Sequence, residues 1–176
     1  MAYKQTLNTN DARFQRHEQL INVAFHGMLT KRSRNIRPGE ICRQAKVSRT
    51  TFYAHYGSAD FVGQYEQKLK ADFCARLPKT KARKEVVYLI LLKFVRDNFG
   101  YFAATVPNAN FWLLKTIYVE LKPIIAPGVA PESYDLYVLQ QIALIARWVE
   151  YEKCAPRKMD AYAKKMAYMN VMKVEI

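Results

Sequence analysis

The sequence predicts an all-α fold of about nine helices, with an N-terminal helix-turn-helix head of three helices joined to a C-terminal helical domain. Three observations carry this. Apolar residues recur three and four apart through most of the chain, and no segment alternates with the period of two that a strand needs. The stretch Ile41 to Tyr56, ICRQAKVSRTTFYAHY, has the pattern of two short helices separated by a tight turn. Proline and glycine then divide the remaining chain into helical lengths.

The organising stretch is built from both sides of its turn. Ile41, Cys42 and Ala45 share one helical face, Val47 interrupts, and Ser48 suits the N-cap of a new helix. Phe52 and Tyr56, four apart, give that second helix one buried face. Its other faces carry Arg49, Thr50, Tyr53 and His55, which donate hydrogen bonds or stack; none is a carboxylate. A polar helix held on a partner by two aromatic anchors has the form of a major-groove reader.

These residues resemble the TetR (tetracycline-repressor) family of bacterial transcription regulators, whose pattern runs Ile-Ala-x-x-Ala-Gly-Val-Ser-x-x-Thr-Phe-Tyr-x-His-Phe. Ile41, Ala45, Val47, Ser48, Thr51, Phe52, Tyr53 and His55 match it. Tyr56 stands for Phe, Lys46 for the turn glycine, Ala59 for a following Lys and Val62 for a Leu, so a non-glycine must hold the turn. The resemblance spans roughly residues 13 to 70.

Composition agrees with an anionic partner. The 176 residues hold 28 Lys and Arg against 15 Asp and Glu, a formal charge of +13. Residues 1–76 have 13 basic and 6 acidic residues, and residues 77–176 have 15 and 9, so positive charge is denser in the first part. This favours nucleic acid ahead of a membrane surface. Cys42, Cys74 and Cys154 are scattered, without a Cys-x-x-Cys, which predicts a reduced, cytoplasmic protein. The polar N-terminus is not expected to act as a signal peptide, and the apolar run Val86 to Leu92 is too short to span a bilayer.

In chain order, residues 1–10 are expected to form a flexible polar arm, with Lys4 able to reach a minor groove. Phe14, His17, Ile21, Ala24, Phe25 and Met28 mark a first helix over roughly 11–30. A basic loop with Lys31, Arg32, Arg34 and Arg37 follows, and Pro38 opens the second helix. Gly57 and Ser58 separate the third helix from a fourth, carried by Phe61, Val62, Tyr65, Leu69 and Phe73 and ending before Pro78. The basic stretch 78–84 is the boundary expected between a DNA-binding domain, 11–76, and a second domain, 77–176. There, 86–99 is a largely buried helix, Gly100 marks a break, a short helix runs to Val106, and 110–125 is helical with a kink or stop at Pro123. Pro131 opens a long helix to about 152, and Pro156 opens the last.

Sites of chemistry are not evident. His17, His26 and His55 lack metal-ligand spacing, and there is no phosphate-binding glycine loop or nucleophile elbow. No metal, cofactor or enzymatic activity is therefore expected. Cys42 suits a buried structural position.

The resemblance implies a homodimer that binds a double-stranded operator and releases it when a small-molecule inducer binds. Arg49, Thr50 and Tyr53 would then meet base edges, while Arg37, Lys46, Ser48, Thr51 and His55 would hold phosphates. The aromatics Phe99, Tyr101, Phe102, Trp112, Tyr118 and Tyr137, with Gln141, are the expected inducer contacts. The last two long helices would pair across a two-fold axis. The penultimate helix is apolar on two faces, one with Leu136, Leu139, Ala143 and Ala146 and one with Tyr134, Val138, Ile142, Ile145 and Val149. The last carries Met159, Tyr162, Met166 and Met169 toward Lys173. Ala143, Ala146, Met159, Met166 and Met169 are thus the expected interface. Two other readings stay open: a DNA-bound activator or co-regulator working through a protein partner, and a ligand-free, charge-driven DNA-binding protein.

Overall fold

The computed structural model describes residues 11–29, 36–57 and 60–169. Every α or strand element among them is helical: α1 (Ala12–Leu29), α2 (Pro38–Ala45), α3 (Arg49–His55), α4 (Phe61–Arg76), α5 (Lys84–Asp97), α6 (Phe99–Thr105), α7 (Trp112–Ile125), α8 (Pro131–Glu150) and α9 (Met159–Tyr168). The arm 1–10 with Lys4, the cations Lys31, Arg32 and Arg34, Ser58, Ala59 and Lys173 lie outside the described residues. Two compact units result, Met1–Tyr65 and Glu66–Ile176. Their division falls inside α4, while the expected boundary lies after it.

In the first unit, α1, α2 and α3 enclose Ile21, Phe25, Ile41, Ala45 and Phe52, all buried. Phe61, at the start of α4, closes the cluster with its ring centroid 4.7 Å from Phe25, 5.3 Å from Phe52 and 4.5 Å from Tyr56. Each buried Phe contributes about 1.5–3 kcal/mol by removal of apolar surface from water. Two buried hydroxyls are satisfied within the unit: Tyr56 donates to Asn22 Oδ1 at 2.9 Å, and Tyr65 Oη lies 3.0 Å from His26 Nε2.

The second unit is centred on α5, buried at Val87, Tyr88, Leu91, Leu92, Phe94 and Val95, with α9 as its principal packing partner. The break between α5 and α6 falls at Asn98, and Gly100 lies inside α6. At that break the Phe94 carbonyl accepts from both the Asn98 backbone N–H, at 3.1 Å, and the Asn98 side-chain amide, at 2.9 Å. Helix α7 continues past Pro123 to Ile125; Lys122 O still accepts from Ala126 N at 3.0 Å, so the proline removes one bond and leaves the last turn closed. Pro156 opens a 3₁₀ turn, and α9 begins at Met159.

Helix α8 buries Tyr134, Tyr137, Val138, Ile142, Ile145 and Val149. On its other apolar face Leu136 and Leu139 remain 43% and 52% exposed and Ala143 is exposed, with Ala146 half-buried. Met166 of α9, expected at a dimer interface, is fully buried within its own chain. Met159 and Met169 are half-buried.

Candidate nucleic-acid interface

The turn between α2 and α3 is fixed by three local devices. Lys46 ends α2 in the left-handed conformation, φ 55° and ψ 39°, where a glycine is usual, and Val47 N–H returns to Cys42 O at 3.1 Å. Ser48 caps α3 by accepting from Thr51 N–H at 2.9 Å, and the two hydroxyls lie 2.8 Å apart. At the start of α2, Pro38 occupies the first turn and Arg37 N–H donates to the Glu40 carboxylate at 3.3 Å, so Glu40 supplies the capping that Arg37 cannot.

These devices sort the eight nominated residues. Arg37, Lys46, Arg49, Thr50 and Tyr53 are exposed. The Ser48 and Thr51 hydroxyls are engaged with each other. His55 is half-buried, its ring stacked on Phe14 with centroids 3.7 Å apart and its face crossed by His17 at 6.2 Å. It joins α3 to α1 more than it faces solvent. Arg49 does not extend freely from α3: its guanidinium lies across the first turn of α2, where a Cβ on Gly39 would come within 3.3 Å of it. Arg49 and Arg37 therefore flank the same helix N-terminus. Exposed Arg43 on α2 and Arg13 and Arg16 on α1 add positive charge to the unit; none follows from the motif, and only a count of cations on exposed helical faces reveals them.

In the second unit, the seven residues expected to contact an inducer fall in different settings, with Tyr118 beside Tyr137 and Tyr101 in ring contact with Phe102. Phe102 is core, and Tyr101 donates to buried Glu66 at 2.6 Å. Phe99 is half-buried and Trp112 is 37% exposed. Gln141 is buried and donates to Met166 O at 3.1 Å. Tyr118 lines a groove of about 510 Å³ between α7 and α8, whose other walls include Lys115, Lys122, Tyr134, Val138 and Leu139. Behind that groove Tyr137 shares a hydrogen bond with Tyr88 of α5, and Tyr134 donates to the Tyr118 carbonyl. Tyr88, Tyr134 and the two lysines were not nominated. Spacing holds the missed signal, since Lys115, Tyr118 and Lys122 fall on one stripe of a helix.

Burial holds the phenols of Tyr88, Tyr118 and Tyr134 well above their usual ionisation range, reinforced by their proximity to one another. They are neutral donors at physiological pH. Among the described residues no group of His, Cys, Asp or Glu is arranged to hold a metal ion, and no helix is long and apolar enough to cross a membrane.

No protein-family model matches the chain, and no curated protein does. A solved structure described as a TetR-family transcriptional regulator from Streptomyces coelicolor is similar over 87% of this chain and 77% of that one, with 19% identity and a TM-score of 0.49. The chain itself is all-helical across its described residues, with a helix-turn-helix head that resembles the TetR family in the residues of that motif.

Proposed function

We propose that this protein is a sequence-specific, DNA-binding transcription regulator, acting as a homodimeric repressor that a small-molecule inducer releases from its operator. The observation that carries the reading is the helix-turn-helix: α3 is anchored by Phe52 and presents Thr50 and Tyr53 to solvent beside the cations Lys46 and Arg49. Thr50 and Tyr53 meet base edges in the major groove. Arg37 and Arg49, both exposed at the first turn of α2, hold a backbone phosphate. This moves Arg49 from base reading to phosphate binding. Lys46 contributes a second phosphate contact.

Dimerisation uses the exposed face of α8, with Leu136, Leu139 and Ala143, which a second copy covers across a two-fold axis. Two linked heads then read half-sites about one DNA turn apart.

The test is selection of binding sites from a random duplex pool, followed by titration of the winning site at several salt concentrations. The reading expects an inverted repeat with half-site centres about 10 base pairs apart. Recovery of no sequence preference, with binding governed by salt alone, identifies a charge-driven DNA-binding protein and overturns it.

A further inference from the structure

Lys115, Tyr118 and Lys122 occupy one stripe of α7, three and four residues apart, and all three line the α7/α8 groove. Opposite them α8 contributes Tyr134, Val138 and Leu139, with Asp135 the carboxylate on that side. Two ammonium groups against one carboxylate leave the rim positive, and the Lys122 Nζ rests 5.0 Å from the centroid of the Tyr134 ring. The walls between are apolar.

The interior behind this groove holds more hydrogen-bond donors than it spends. Each phenol carries one donor hydrogen. Tyr134 uses its own on the Tyr118 carbonyl. In the Tyr88–Tyr137 pair one hydrogen makes the bond, and the hydrogen of the accepting hydroxyl is left over. The Tyr118 hydroxyl is fully buried and has no hydrogen-bond partner among the described residues. A buried donor without an acceptor is costly, and few persist in folded proteins. Two spare donors beneath the floor of a groove with a cationic rim match a ligand that brings acceptors at both ends.

We propose that the α7/α8 groove binds an apolar carboxylic acid carrying a second, uncharged acceptor oxygen. Its carboxylate lies between Lys115 and Lys122, its hydrocarbon part lies along Tyr134, Val138 and Leu139, and its far oxygen accepts from Tyr118. The proposal rests on the reading of this protein as an effector-controlled regulator and names the chemical class of the effector.

Calorimetric titration of the full chain with 9-oxodecanoate, decanoate and 2-decanone tests it. These probes differ in which acceptor they carry. The oxo acid is expected to bind about tenfold more tightly than either of the others, the loss on leaving one polar partner unmatched. Tyr118→Phe, which keeps the ring, should make 9-oxodecanoate and decanoate equivalent while the fold is retained by circular dichroism. The double variant Lys115→Gln/Lys122→Gln should make 9-oxodecanoate and 2-decanone equivalent. Equal affinity of the wild-type protein for the oxo acid and decanoate overturns the assignment, as does equal affinity for the oxo acid and 2-decanone, or no heat from any probe at millimolar concentration. Probe discrimination without site selection in the random DNA pool leaves the groove assignment standing and removes the regulator; the reverse pair of results removes the groove alone.

Discussion

The ring of His55 lies face to face with that of Phe14, their centroids 3.7 Å apart and their planes inclined by 27°. This stack ties the last turn of α3 to the first turns of α1. A residue whose type suggests a phosphate contact thus spends its surface on packing. His55→Phe should keep the stack, leave the melting temperature within about 2 °C and keep DNA affinity within about twofold. Phe14→Ala should lower stability by about 1 kcal/mol through loss of the aromatic pair. Thermal melts and fluorescence anisotropy check both. A large affinity loss in His55→Phe with unchanged melting would return His55 to the DNA face.

Lys46 should give opposite signs in two assays. Its left-handed backbone, φ 55°, is strained for any residue with a Cβ. Lys46→Gly should therefore stabilise the protein by about 0.5–1 kcal/mol in urea unfolding. Removing an exposed cation beside α3 should at the same time weaken DNA binding and reduce the salt slope by about one. A variant that is more stable and binds DNA as before assigns Lys46 to the turn alone.

Burial pushes the His26 imidazole down to about 4 from its ordinary 6.5. The sign follows from proton counting. Between pH 6.5 and 4 the unfolded chain holds a proton on His26 that the folded chain does not, so stability falls as pH falls through that window. Allowing for partial exposure, about 2 kcal/mol is at stake. His26→Gln should flatten the dependence of melting temperature on pH there; an unchanged slope would show that other groups set it.

The two apolar sides of the last helices should respond differently to charge. Ala143→Glu, on the exposed face of α8, should leave the fold intact and separate subunits in sedimentation velocity at micromolar concentration. Met166→Glu, buried in its own chain, should cost more than about 3 kcal/mol and unfold the second unit. A dimeric Ala143→Glu variant places the interface elsewhere.

The head was legible because its signals are local. Ser48 as N-cap, Phe52 and Tyr56 as anchors and the non-glycine turn at Lys46 each follow from a few neighbouring residues. The two apolar faces of α8 were also readable from spacing. The path of Arg49 was not, since it brings the guanidinium against Gly39 in another helix. Nor was the inward turn of Met166, because an apolar stripe gives the face of a helix without saying what covers it. The tyrosine cluster failed for a related reason: Tyr88, Tyr118 and Tyr137 come from three helices, and only packing brings their hydroxyls together.

Leu139 belongs to two surfaces at once. It lines the α7/α8 groove, and it stands half exposed on the face of α8 that a second copy is proposed to cover. Occupancy of one surface then alters the free energy of the other, and by reciprocity each equilibrium shifts its counterpart by the same factor. Apparent effector affinity should accordingly vary with total protein concentration, so that a titration at nanomolar protein and one at tens of micromolar return different constants for the same molecule.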